Sequence, residues 1–383
     1  MFRVMTEHGG ERFARATALV EQAYQHVEMA RPPIVIQDAN YSLAGEDPAG
    51  IPDDYFAEGG FAAMLERQAR RIDAHLKRFD DEYVPFLFPW YGTGVVPSAL
   101  GCEIVFPPKQ EPAVAGPIVT RPEEISRLVP PDPTRDGLMP RVLRCIDYMR
   151  ANSDAPVSFT DCQGPLNIAL NVVGLERLSI WMYEEPSAVH ELMDFCTSVL
   201  IDWVQVQKNH AGQPRDAGAF PHFVILPRGR GGVWISDDDS TVLSPHLYRE
   251  FVVPYNSRVF QAFGGGTLHY CGSATHQLEN FLATDGLVGV NNWCMGDFEA
   301  VFRAQTAFAG RIVFAVDDVA PVDIEGYFAE LIPGLSRRGT IVTIFPSATT
   351  ATVTGRTVAL QRDPYAVGEA CWRAITAELD RRT

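Results

Sequence analysis

The sequence predicts an α/β fold, a (β/α)₈ TIM barrel. Two observations point to it. Eight short, nearly all apolar runs recur along the chain, and helical segments with their own start and stop signals lie between them. Strands that alternate with helices form parallel sheets, and strands buried on both faces read as continuous apolar runs. Eight of them suit a closed barrel better than an open sheet.

The runs, in order, are Pro33–Gln37, Val84–Pro89, Val157–Thr160, Phe223–Leu226, Thr267–Tyr270, Leu287–Val290, Ile312–Val316 and Ile341–Ile344. Before the first, residues 1–30 or so read as a helical N-terminal extension. Between the third and fourth, Glu185-Pro186 opens a long helix through Gln207, and Ala211-Gly212 ends it. After the fourth, Ser244-Pro245 reads as an N-cap followed by Pro at the first helical position, before a helix to about Phe263. Gly264-Gly265-Gly266 then turns the chain into the fifth strand. Three stretches look like excursions: Asp38–Pro52, Trp90–Thr120 and Pro227–Ser240. Each starts just after an expected strand, on the side where barrels of this kind build their sites. With no low-complexity linker in 383 residues, residues 1–383 read as one barrel domain.

Charge narrows the partners. The net charge is −16, which repels phosphate backbones and excludes nucleic acid as the expected partner. No apolar run reaches the ~18–20 residues of a membrane span. Met1–Gln22 carries charges and lacks the apolar stretch of a secretory signal, so the expected location is cytoplasmic. The seven cysteines are dispersed and odd in number, which suits reduced thiols rather than a disulfide framework.

The sharpest local signal is His269-Tyr270-Cys271. Side chains at i and i+2 of a strand point to one face, with Cα atoms ~6.5 Å apart. An imidazole and a thiolate there can converge on one ion, and both are good zinc ligands. Cys294 closes the segment after the next strand, and Cys162 the segment after the third, so four soft ligands lie near one rim. A satisfied histidine and packed cysteines are the alternative. Asp237-Asp238-Asp239 follows a strand-like segment, Val233–Ser236; Asp238 and Asp239 are the candidates for moving protons. Asp317-Asp318 has the same ambiguity. Trp90, Tyr91 and Trp293 are candidate pocket walls, Gln163 a candidate substrate contact, and Arg228 in Pro227–Gly232 a candidate anion binder. Solvated loops and ordinary packing would explain these residues equally well.

From about Val84 to Thr343 the chain resembles the uroporphyrinogen decarboxylase superfamily. The resemblance rests on Ala99-Leu100-Gly101-Cys102-Glu103, Pro117-Ile118, Arg121-Pro122-Glu123-Glu124-Ile125, Pro131-Asp132-Pro133, Gln163-Gly164-Pro165, Glu185-Pro186 before a helix containing His190, Ser244-Pro245 with Tyr248, and His269-Tyr270-Cys271-Gly272. It implies the same barrel. The true decarboxylases carry a basic N-terminal segment and an Asp after the second strand; here those positions read Arg31–Asp38 without a basic cluster, and Phe88-Pro89-Trp90. The chain is more similar to the zinc-dependent methylcobamide:thiol methyltransferases and related demethylases. In those, a His-x-Cys and a later Cys hold zinc, which implies His269 and Cys271 as ligands. The later Cys is replaced by Pro346-Ser347-Ala348 after the last strand, so Cys294, Cys162 or a carboxylate would complete the set.

The expected function is therefore zinc-dependent methyl transfer or demethylation of a small molecule, with a thiol or a corrinoid as partner substrate and a corrinoid protein as a candidate partner. A metal-free decarboxylase or lyase is the alternative, and a non-catalytic tetrapyrrole-binding barrel a third. A homodimer is common among relatives of this shape.

Overall fold

The structure, a computed structural model, describes residues 1–3, 5, 10–37, 55–57, 59–108 and 110–381. The expected excursion Asp38–Pro52 lies outside the described residues. Six parallel strands form one sheet: β1 (Ile34–Ile36), β2 (Val233–Ser236), β3 (Gly266–Cys271), β4 (Leu287–Trp293), β5 (Val313–Val319) and β6 (Thr340–Phe345). Their order is β1-β6-β5-β4-β3-β2. Two further segments continue the round through isolated parallel bridges, Leu87 with Val157 and Gln163 with Ser236. On the other side, Glu82 N donates to Ile34 O. Eight strand positions thus surround one apolar interior, the TIM-barrel arrangement that the sequence predicts.

The long helix begins and ends where the sequence says, whereas the helix expected from Pro245 to about Phe263 breaks at Val252 into Pro245–Phe251 and Val253–Ala262, because Pro254 has no N–H to continue the ladder. Pro186–Ala211 runs 26 residues and stops at Gly212, whose φ of 68° is the left-handed cap that glycine favours. The Ser244 hydroxyl accepts from Leu247 N and Pro245 opens the helix Pro245–Phe251. The N-terminal region holds the helix Gly10–Tyr24, whose Phe13, Ala16, Val20, Ala23 and Tyr24 are buried. Among the described residues no helix is long and apolar enough to cross a membrane.

One expected strand is not part of the barrel wall. The fourth strand is Val233–Ser236, while Val224–Leu226 pairs antiparallel with Gly218–Phe220 in a hairpin. That hairpin lies between the end of the long helix and the start of β2, so it hangs on the N-terminal side. Its foot is fixed there. Gly229 N and Gly231 N donate to Asp216 O, and Gly232 N donates to Gly265 O at the entry to β3. Gly231 has φ 128°, and a Cβ on it would meet Gly265 O at 2.2 Å, so only glycine fits. Lys208, fully buried, donates to Ala217 O (3.0 Å) and Gly232 O (2.7 Å) and clasps both arms. The tip rises inside the barrel, where Phe223 packs on Tyr83 and Phe86 and Phe220 packs on Phe159. A hairpin buried within a barrel is as apolar as the barrel wall, and periodicity does not separate the two.

Candidate active site

Strand register builds the site. Ser236 pairs with His269, His269 with Asn291, Cys271 with Trp293, and Trp293 with Asp317. Alternate side chains share a face, so Trp234 and Ser236, His269 and Cys271, and Asp317 and Val319 all turn inward. They line a cavity of about 180 Å³ at the C-terminal ends of the strands.

One corner of this cavity brings together Asp238, His269 and Cys271, whose donor atoms lie within 4.8 Å of one another. Cys271 Sγ is 3.5 Å from His269 Nε2, and Nε2 is 3.9 Å from Asp238 Oδ1. An ion with tetrahedral bonds of ~2.0–2.3 Å separates its ligands by roughly 3.3–3.8 Å. The corner is therefore close to zinc-sized. His269 Nδ1 lies 2.6 Å from Asn291 Oδ1. Because Asn291 Nδ2 donates to Ala315 O, its Oδ1 is the acceptor, and the proton sits on Nδ1. The Nε2 lone pair then faces the corner, the arrangement that orients a ligating histidine. Burial, then the neighbouring His222, pushes His269 down to about 4, so the ring is neutral. Burial and the Asp238 carboxylate push the Cys271 thiol well up. A carboxylate beside a buried thiol opposes thiolate formation, and a divalent cation reverses that effect. The donor set thus fits a metal: a carboxylate oxygen, an imidazole nitrogen and a sulfur, with a fourth position free for substrate.

The hairpin tip completes the floor. His222 stacks on His269 with centroids 4.1 Å apart and an angle of 20°, and Trp234 lies beside both rings. His222 Nδ1 is 2.5 Å from Asp317 Oδ2, and Gln37 Nε2 donates to Asp317 Oδ1 at 2.8 Å. His222 and Phe223 both have φ of 57°. Two consecutive non-glycine residues in the left-handed region cost free energy, which the packed tip must supply.

The remaining candidates divide by place. Trp90 and Trp293 line the cavity; Tyr91 is fully buried and packs on Phe56 instead. Gln163 sits behind Ser236, its Oε1 accepting from Asn171. Arg228 is at the hairpin foot, 82% exposed and 4.0 Å from Asp216, on the face opposite the cavity. Asp239 lies on the turn after Asp238, outside the cavity lining, its carboxyl raised by burial and by Asp238. Cys294 lies outside the three-donor corner: its Sγ donates to Asp318 Oδ2 at 3.4 Å. Cys162 is fully buried, with its Sγ against Thr160 O and Gln207 Nε2. Sequence reasoning missed His222, Asn291, Glu111 and Asp161. A lone polar residue in a buried strand was the available signal for Asn291, and an acid closing the third strand was the signal for Asp161. Nothing local marked the other two.

Comparison with known proteins adds relatives by sequence and by fold. Residues 88–213 match the family model described as uroporphyrinogen decarboxylase (URO-D). That match covers about a third of the chain. The chain is 25% identical over 193 residues to a methylated-thiol–coenzyme M methyltransferase of Methanosarcina mazei, a match covering 50% of this chain and 47% of that protein. The matched stretch spans about half the length of that curated relative. A solved methyltransferase from Methanosarcina mazei superposes with a TM-score of 0.65 at 15% identity, covering 96% of this chain and 98% of that one, and shares the fold. The resemblance therefore falls on the methyltransferase branch of the superfamily.

Proposed function

We propose that this protein is a zinc-dependent methyltransferase or demethylase acting on a small molecule, with a thiol or a corrinoid as partner substrate. The observation that carries this reading is the corner of Asp238, His269 and Cys271, with His269 Nδ1 held by Asn291. Asp238 takes the place of the later cysteine as third ligand. When bound there, zinc would lower the pKa of a thiol or polarise a leaving oxygen at the open fourth position.

The chain's own residues do the rest. Asn291 fixes the His269 tautomer. Ser236 Oγ and Cys271 N donate to the two oxygens of Asp238 and hold its carboxylate toward the corner. Trp234 and the His222 ring seal the floor against water, which strengthens every charge interaction above them. Trp293 forms a wall, its Nε1 donating to Asp318. The decarboxylase alternative is less well supported, because no Lys or Arg is among the described residues lining the cavity. A carboxylate-rich substrate would meet like charge there.

The test uses zinc-loaded protein, methylcobalamin as methyl donor and simple alkyl thiols as acceptors. Loss of the methylcobalamin visible band should require both zinc and thiol, stop after chelation and return on adding zinc. A methoxylated aromatic serves as the alternative donor. Undiminished turnover in His269→Ala would contradict the reading.

A further inference from the structure

Five carboxyl groups reach the cavity: Glu111, Asp161, Asp238, Asp317 and Asp318. Three of them are satisfied. Asp238 accepts from Ser236 and Cys271 N. Asp317 lies between Gln37 and His222. Asp318 accepts from Trp293, Tyr327, Thr352 and backbone N–H groups. Glu111 and Asp161 differ. Glu111 Oε1 and Asp161 Oδ1 are both buried with no hydrogen-bond partner on those atoms, the Trp90 side chain bearing on Glu111 alone. Burial, then the Asp161 charge, pushes Glu111 up to about 8. Burial pushes Asp161 up to about 7 against the opposing pull of His222. Both acids line the one cavity, and the Asp161 charge bears on Glu111. A buried acceptor left without a donor costs ~1–3 kcal/mol, so two at one wall call for a ligand that brings donors. Trp90 and Trp293 add indole surfaces to the same cavity, and indole faces attract cations.

We propose that the Glu111–Asp161 wall binds an organic cation bearing N–H groups, so that the substrate is a small molecule with a protonated amine at one end and the reacting heteroatom at the other. The second half rests on the methyl-transfer reading, which places the heteroatom at the Asp238–His269–Cys271 corner. The amine donates to Glu111 Oε1 and Asp161 Oδ1, and its charge sits among carboxyl groups that no Lys or Arg in the described lining offsets. A bound amine favours the ionised form of both acids and gains their charge, whereas a sulfonate or carboxylate headgroup gains no such partner at this wall. Glu111 and Asp161 line the same cavity of about 180 Å³ as Asp238, His269 and Cys271, so one small ligand spans both ends.

The experiment is isothermal titration of the zinc-loaded protein at neutral pH with three two-carbon thiols that differ only in headgroup. 2-Aminoethanethiol should bind at least ~10-fold tighter than 2-mercaptoethanesulfonate, with 2-mercaptoethanol between them. In the double variant Glu111→Gln, Asp161→Asn the preference should shrink to below ~3-fold while 2-mercaptoethanol binds as before. An equal or reversed order in the wild type overturns the proposal, and so does a full preference retained in the double variant. If the double variant does not fold, the wild-type order decides alone. If no thiol binds, the methyl-transfer reading fails separately. Ethylamine against ethanesulfonate then decides this proposal: a preference for the amine supports it, and none overturns it.

Discussion

Two cysteines end neighbouring segments at one rim of the barrel, and the structure treats them oppositely. Cys271 closes β3, half-buried, with Sγ toward His269 Nε2 and the cavity. Cys294 follows β4, 1% exposed, with Sγ against Asp318 and 3.8 Å from Tyr327 Oη. Each has a nearby aspartate. Asp238 uses only two donors and lies open to the corner. Asp318 is enclosed by donors, among them Tyr327 Oη at 2.6 Å from the helix Ile324–Gly334 and Thr352 Oγ1 at 3.0 Å, which ties β5 to the C-terminal hairpin Thr350–Ala359. The lesson is that residue type and rim position do not separate a candidate ligand from a structural thiol. The saturation of the neighbouring carboxylate does.

Substitutions sharpen that contrast, and the largest effect is expected at the ligand side. His269→Ala should lower zinc affinity by more than ~100-fold, read by competition with a chromogenic chelator. Asn291→Leu keeps the ligands but releases the imidazole, and should weaken zinc by ~10–100-fold in the same assay. Unchanged affinity there would break the link between tautomer and site. Cys294→Ala belongs to the other region. It should cost ~1–3 kcal/mol in denaturant unfolding and leave zinc affinity unchanged.

The smallest effect concerns the acid between the two strands of the site. Asp237 is fully buried, accepts from Tyr248 Oη (2.6 Å) and Asn256 Nδ2 (3.1 Å), and is pushed up to about 7 by burial. The folded state then holds a proton that the unfolded chain releases near pH 4, so stability from this group is present below pH 4 and falls as pH rises toward 7. Asp237→Asn removes the buried charge. It should flatten that slope and raise stability by ~1 kcal/mol or more above pH 7, seen in thermal melts at pH 5 and 8. Equal slopes in the two proteins would contradict the assignment.

The barrel was legible because its wall strands are short apolar runs and its helices carry Pro and Gly punctuation, as at Ser244-Pro245 and Gly212. The His269–Cys271 pair was legible because a spacing of two on a strand fixes a common face. What escaped was everything that depends on distant segments meeting. His222 reaches the site only because a hairpin enters the barrel from the opposite end, and its strand Val224–Leu226 reads like a wall strand. Cys294 looks like a ligand until Asp318, from another strand, is placed beside it. Arg228 looks like an anion binder until the hairpin foot carries it to the far face.

The most direct test is elemental analysis of purified wild type, Cys271→Ser and Cys294→Ser after equal zinc loading and desalting. The account predicts about one zinc per chain in wild type and Cys294→Ser, and almost none in Cys271→Ser. Zinc retained by Cys271→Ser and lost by Cys294→Ser, or no zinc in folded wild type, would contradict it.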